Sequence, residues 1–172
     1  FVRGTLHGTM LRTDSYDFSR LGTFLERADS TARLLDVKYY VLLPSAAGVG
    51  SRLDSAQWEV ILRGVSAENS FRQLHGDDSG ASEIARFLIL DGRMPRSLAF
   101  CYSKIGGNLR WLERHYGDRN ECHRIAEDTC TKLDEATIGG IFEEGLHTFL
   151  QDFRARNTAL AAQIEQDYRF YQ

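Results

Sequence analysis

The chain has 172 residues, of which 42% are hydrophobic and 26% charged, and this balance is typical of a folded globular protein and excludes a disordered chain. The formal net charge of −3 excludes a large basic surface for a nucleic-acid backbone. No run approaches the roughly 18–20 apolar residues that a membrane span needs, and no signal peptide is visible. The length predicts one domain. The three cysteines, an odd number, predict reduced thiols in a cytoplasmic protein.

Helical periodicity runs through nearly the whole chain. Leu, Ala and Arg, which all favour helices, contribute 20, 15 and 18 residues, against only two prolines. The pattern predicts an all-α fold, an elongated bundle of about six to seven helices. The predicted helices run from Ser15 to about residue 42, from Asp54 through Trp58 and Val65, around Phe71 and Leu74, from Ser79 or Ser82 to Leu90, from Pro95 to Gly117, over about 119–135 and over about 138–171.

The first long helix separates charges along its two sides. Its apolar stripe, predicted to face the core, contains Leu21, Leu25, Ala28, Ala32, Leu35 and Tyr39. A mixed edge beside the stripe contains Glu26, Asp29, Arg33 and Asp36, and a basic edge on the other side contains Arg20, Arg27 and Lys38. Within the mixed edge, Arg33 lies four residues after Asp29 and three before Asp36, spacings that predict ion pairs along the helix. Two interpretations stay open. The edges are either a solvated surface with weak ion pairs, or they belong to a central helix whose charges pair with other helices or with a partner.

The last predicted helix, at about 34 residues, would be roughly 50 Å long, which exceeds the diameter of a compact chain of this size. It therefore predicts an elongated bundle with a face left for another helix or subunit. Its apolar stripe contains Phe142, Leu146, Phe149, Phe153, Leu160, Ile164 and Tyr171. Glu144 and His147 have the three-residue spacing of di-iron bundle ligands. They lie opposite the stripe, however, and are predicted to be a surface or interface pair without a metal.

Other chemical motifs are absent from the sequence. It contains no P-loop, no G-x-S-x-G elbow, no H-E-x-x-H and no dinucleotide-binding glycine pattern, so no cofactor is predicted and catalytic residues stay unknown. Asp91, Arg93 and Arg96 lie at a turn between two predicted helices. They either close one helix and open the next, or form an anion site at a helix N-terminus.

Four segments together resemble the alpha-E domain family, a bacterial all-helical family named for a Glu-Arg motif that Glu26 and Arg27 match. The segments are 8–12, 18–39, 87–97 and 145–150, and the resemblance extends over essentially the whole chain. Family members are usually longer, with a related Glu-Arg helix nearer the N-terminus. The resemblance therefore implies that residues 1–172 form a single helical domain equivalent to the C-terminal half of a member. Such a chain is expected to expose an apolar patch or to form a homodimer.

The resemblance also implies a functional context. Members of the family have no known activity, but they are typically encoded beside, or fused to, ATP-grasp-type ligases and transglutaminase-like peptidases. The leading hypothesis is a non-catalytic partner that docks onto such a ligase in the synthesis or processing of a peptide or amide-linked product. One alternative is a purely structural dimerisation module. The other is an enzyme of peptide or amide chemistry with a polar pocket formed by Glu26, Arg27, Asp36, Arg96 and His147.

Overall fold

The computed structural model describes residues 4, 8–41, 52–76 and 80–169, with the side chains of 38–41 and 52–55 excepted. Within these ranges there are eight helices and no strand, which confirms the all-α class and corrects the predicted count of about six to seven. The helices are α1 Asp14–Val41, α2 Arg52–Gly64, α3 Glu68–His75, α4 Ala81–Ile89, α5 Leu98–Tyr116, α6 Glu121–Glu135, α7 Ile138–Glu144 and α8 Leu146–Asp167. None of these described helices has the length and apolarity that would let it traverse a bilayer.

The four long helices α1, α5, α6 and α8 form an antiparallel bundle in which consecutive helices are neighbours. Tyr116 at the end of α5 donates a hydrogen bond to Asp14 at the start of α1, so these two helices run in opposite directions. Tyr168, just after α8, packs its ring edge-on against Phe18 of α1. Helix α6 packs against both α5 and α8 and closes the bundle. The short helices α2, α3 and α4 connect α1 to α5.

Helix α1 is central, because α5 and α8 both pack along its length. Leu21, Ala28, Ala32 and Leu35 of the predicted stripe are buried. Phe24 and Thr31, which the stripe omitted, are buried as well, since a helix with two neighbours has a wider buried face than one stripe. The predictions for Lys38, Tyr39, Ser79 and Tyr171 concern side chains outside the described part of the chain.

The prediction of one continuous helix over 138–171 is wrong. The chain breaks at Gly145, whose φ of 102° lies in a region that L side chains rarely adopt. Helix α8 has 22 residues and is therefore about 33 Å long, so the length argument for an elongated bundle no longer holds. Phe142, assigned to the apolar stripe, lies on α7 and is exposed, whereas Leu146, Phe153, Leu160 and Ile164 are buried.

Several predicted helix starts are also wrong. Ser15 and Ser82 lie inside α1 and α4, which begin at Asp14 and Ala81. Asp54 lies inside α2, which begins at Arg52. Helix α5 begins at Leu98 rather than at Pro95, because Ser97 is the N-cap. The Ser97 hydroxyl accepts a hydrogen bond from the backbone N–H of Phe100 at 3.0 Å and donates one to the Asp91 carbonyl at 2.6 Å. A hydroxyl that satisfies an otherwise unpaired N–H is a stronger start signal than the proline two residues earlier.

Replacing Gly145 tests the break between α7 and α8. We expect Gly145→Ala to lower the free energy of unfolding by about 1–3 kcal/mol, because the alanine must adopt the same positive φ. Crowding contributes little, since an added Cβ would meet only Thr148 Oγ1 at 3.5 Å. Urea unfolding followed by circular dichroism measures the change. Gly139→Ala, within α7 and with open space around it, is the control and should be neutral or stabilising. Equal effects of the two variants would contradict this explanation.

Candidate functional site

Asp36 lies at the centre of a charged network between α1 and α8. Its Oδ1 lies 2.6 Å from Nδ1 of His147, and its Oδ2 lies 3.6 Å from Nη1 of Arg154. Arg154 also approaches Asp29, with 3.6 Å between Nε and Oδ1. Asp29 in turn pairs with Arg33 at 2.6 Å, the four-residue pair expected from the sequence. The network thus links five side chains from two helices of the bundle.

The spacing of these residues explains why they meet. Asp29 and Asp36 are seven residues apart on α1, and His147 and Arg154 are seven residues apart on α8. Seven residues are close to two helical turns, so each pair lies on one face of its helix. Because α1 and α8 are antiparallel, His147 lies beside Asp36, and Arg154 lies between Asp36 and Asp29.

Solvent access decreases along the network. The side chain of Arg33 is 60% exposed, whereas that of Asp36 is only 10% exposed. Charge interactions are stronger where water is excluded, so the contacts of Asp36 are the strongest part of the network. The arrangement fits an ionic lock between α1 and α8, in which Arg154 contributes charge at 3.6 Å and its buried Nε has no hydrogen-bond partner in the described part of the chain.

The sequence pattern predicted neither the participation of Arg154 in this network nor the position of His147. His147 was expected to face away from the core, but it is half-buried against α1. A helical wheel assigns one inner stripe to a helix, and α8 contacts both α1 and α6. One signal in the sequence could have identified Arg154: it follows His147 by seven residues, about two turns, and therefore lies on the same face of α8.

Glu144 and His147 do not form the predicted pair on one helix. Glu144 is exposed at the end of α7, and His147 lies beyond the break in α8. Glu144 instead lines an open groove of about 700 Å³ between α6, α7 and α8. In the described part of the chain, no group of three or more His, Cys, Asp or Glu residues could hold a metal ion.

A second group of candidate residues, Glu26, Arg27 and Arg96, lies where the start of α5 packs against α1. Glu26 is exposed, and Arg27 and Arg96 are half-buried. Beneath them, burial raises the pKa of the Cys101 thiol to about 12, although the charges of Arg27 and Arg96 act to lower it. Glu26 precedes Asp36 by ten residues, which is about 15 Å along the axis of α1. The fold therefore divides the five residues of the hypothetical polar pocket into two groups.

Asp91 and Arg93 pair with each other at the turn before α5. The Asp91 carboxylate accepts hydrogen bonds from the backbone N–H of Arg93 at 2.8 Å and from its guanidinium at 3.0 and 3.2 Å. The hydrogen bonds from the Arg93 guanidinium lower the pKa of Asp91. The side chain of Arg96 lies apart from this pair, near Cys101. This geometry favours turn closure for Asp91 over an anion site at the N-terminus of α5.

Comparison with known protein families identifies the family of this chain. A family model matches residues 1–169, and its description is a predicted alpha-helical domain with a conserved ER motif. The chain belongs to the Alpha-E family. No curated protein and no solved structure matches this Alpha-E chain. The Glu-Arg dipeptide occurs in it twice, at Glu26–Arg27 and at Glu113–Arg114.

The two residues of the first dipeptide have different surroundings. Glu26 is exposed, whereas Arg27 is half-buried with its guanidinium 5.5 Å from the centre of the Phe24 ring. Adjacent helical residues point about 100° apart, so the two side chains of this dipeptide enter different surroundings. In this Alpha-E protein, Arg27 therefore supports the packing of α1, and Glu26 is presented at the surface.

Proposed function

We propose that this Alpha-E protein is a non-catalytic helical partner of an ATP-grasp-type ligase in the synthesis or processing of a peptide or amide-linked product. The observation that carries the proposal is an exposed stripe on α1, which we call the docking stripe. It consists of Gly22, Glu26, Arg33 and Val37. The ligase itself is suggested by the family resemblance, because such ligases are typically encoded beside or fused to its members.

The docking stripe has the properties of a protein-binding surface. Its residues are separated by four, seven and four positions, so they share one face of α1 within about 60°. Gly22 has open space around it, which permits close approach by a partner helix. Val37 is 50% exposed and supplies apolar area, while Glu26 and Arg33 supply one charge of each sign. Opposite charges at fixed positions select a complementary partner.

The enzyme alternative has less support from the geometry. Its pocket requires Glu26 and His147 to act together, and the two groups lie about 15 Å apart along α1. Asp36 and His147 contact each other, with Arg154 balancing the carboxylate. The groove that contains Glu144 is lined by neither Glu26 nor His147.

Charge reversal at Arg33 tests the docking stripe. We expect Arg33→Glu to weaken binding of an ATP-grasp-type ligase, from a gene cluster that also encodes an Alpha-E protein, by about tenfold or more. Isothermal titration calorimetry measures the affinity. ATP turnover by the ligase is measured in parallel over a series of amine and carboxylate substrates. The same assays with a transglutaminase-like peptidase determine whether the docking stripe serves that enzyme instead.

Arg124→Glu is the matched control for Arg33→Glu. Arg124 is 62% exposed, against 60% for Arg33, and it also pairs with a carboxylate four residues away on its own helix, α6. Its reversal should leave ligase binding unchanged. Equal losses of ligase affinity in the two variants would show that the docking stripe is not the ligase-binding surface. Absence of both binding and altered ATP turnover with the wild-type protein would overturn the proposal itself.

A further inference from the structure

A small cavity lies where α3, α4 and the turn before α5 meet. Its volume is about 250 Å³, below the roughly 300–1,000 Å³ of pockets for drug-sized ligands. It contains no residue of α1, so it is separate from the docking stripe and an inference about it does not depend on the proposed function. The cavity is lined by His75, Arg86, Phe87, Leu90, Asp91, Gly92 and Arg93.

Among the described residues that line this cavity, the arginines outnumber the carboxylates. Asp91 is the one carboxylate of that described lining, and both of its oxygens accept hydrogen bonds from the Arg93 guanidinium. The guanidinium of Arg86, on α4, forms no hydrogen bond or ion pair with a residue in the described ranges, whereas its backbone carbonyl accepts the helical hydrogen bond from Leu90. An arginine at the edge of a cavity with no carboxylate of its own presents a planar set of donors to an anion.

The opposite wall of the cavity is apolar. Phe87 is buried and Leu90 is half-buried. The ring of His75 stacks on Phe71 with 4.8 Å between centroids and meets Phe87 edge-on at 5.9 Å. These contacts pack the aromatic groups against one another at the cavity wall. Apolar walls with a few fixed polar groups are typical of small-molecule sites.

We propose that this cavity binds a small organic anion. The phosphate or carboxylate group of the ligand lies beside Arg86, while Arg93 offsets the charge of Asp91 and so prevents that carboxylate from repelling the ligand. The apolar part of the ligand packs against Phe87 and Leu90. This site differs from the anion site considered from the sequence, since its added cation is Arg86 of α4 rather than Arg96 and it does not use the N-terminus of α5.

Phenyl phosphate, benzoate and inorganic phosphate are the probes that test this proposal. By isothermal titration calorimetry we expect saturable binding of one molecule of phenyl phosphate or benzoate per chain. The preferred probe identifies whether the site takes a phosphate or a carboxylate. Inorganic phosphate should bind at least about tenfold more weakly than the preferred probe, because it makes no contact with the apolar wall.

Substitution of Arg86 separates this site from adventitious binding. Arg86→Gln should weaken the preferred probe by about tenfold or more, and Arg86→Lys should retain part of the affinity because it keeps the charge. Arg110→Gln is the control, since Arg110 is an exposed arginine of α5 outside the cavity. Because Arg86 is exposed, the thermal midpoint should not change. Equal affinity of the wild type and Arg86→Gln, or no measurable binding of either organic probe, would overturn the proposal.

Discussion

We expect Asp36→Ala to lower the free energy of unfolding by about 3 kcal/mol. The variant removes the 2.6 Å contact of His147 with Asp36 and one of the two described carboxylate contacts of Arg154, between helices where little water can replace the carboxylate. Breaking a buried ion pair from one side costs about 3–5 kcal/mol. The lower end applies here, because Arg154 keeps its contact with Asp29 at 3.6 Å.

Urea unfolding of Asp36→Ala, with Asp128→Ala as the matched control, measures this cost. Asp128 also pairs with an arginine, at 2.9 Å, but its side chain is 53% exposed, so its removal should cost less than about 1 kcal/mol. A double-mutant cycle with His147→Ala should give a coupling energy of about 1 kcal/mol or more. Similar losses for Asp36→Ala and Asp128→Ala would show that the network does not lock α1 to α8.

The second large effect is expected at Asn157, which joins three helices of the bundle. Its Oδ1 accepts a hydrogen bond from the Tyr102 hydroxyl of α5 at 3.1 Å, and its Nδ2 donates one to the Leu25 carbonyl of α1 at 3.0 Å. Asn157 and Tyr102 are both buried, and burial raises the pKa of the Tyr102 hydroxyl, which therefore stays a neutral donor. The amide thus satisfies polar groups that have no access to water.

Asn157→Leu should therefore lower the free energy of unfolding by about 3 kcal/mol. The leucine keeps the branched shape of asparagine but is larger, and it leaves the buried Tyr102 hydroxyl without this acceptor. An unsatisfied buried polar group costs about 1–3 kcal/mol and added bulk in a packed core a similar amount. The Leu25 carbonyl keeps its hydrogen bond along α1, so its loss of this donor contributes less. Thermal and urea unfolding measure the loss. Gln151→Leu, at an exposed position of α8, should change stability by less than about 0.5 kcal/mol.

The double variant Tyr102→Phe/Asn157→Leu distinguishes lost hydrogen bonds from poor packing. Removing both partners of a buried hydrogen bond leaves fewer polar atoms unsatisfied, so the double variant should lose less stability than the sum of the single variants. Strictly additive losses would mean that the shape of the leucine, rather than the unpaired hydroxyl, causes the destabilisation.

Part of the charged network could be predicted from α1 alone. Asp29 and Arg33 are four residues apart on one helix, and they pair as that spacing indicates. Asp36 was expected near Arg33, three residues away, but it pairs with His147 and Arg154 instead. Spacing within one helix predicts contacts along that helix, whereas contacts across helices depend on which neighbour packs there.

Local patterns in the amino-acid sequence predict the all-α class, most of the helices and the buried stripe of α1, including Leu21, Ala28 and Leu35. These properties depend on periodicity and capping, which act over a few residues. The packing of the helices, in contrast, turns His147 toward Asp36, brings Arg154 beside them and leaves Glu26 at the surface about 15 Å away along α1. Those outcomes depend on the antiparallel pairing of α1 with α8, because residues 111 positions apart in the chain become neighbours only after the helices have packed.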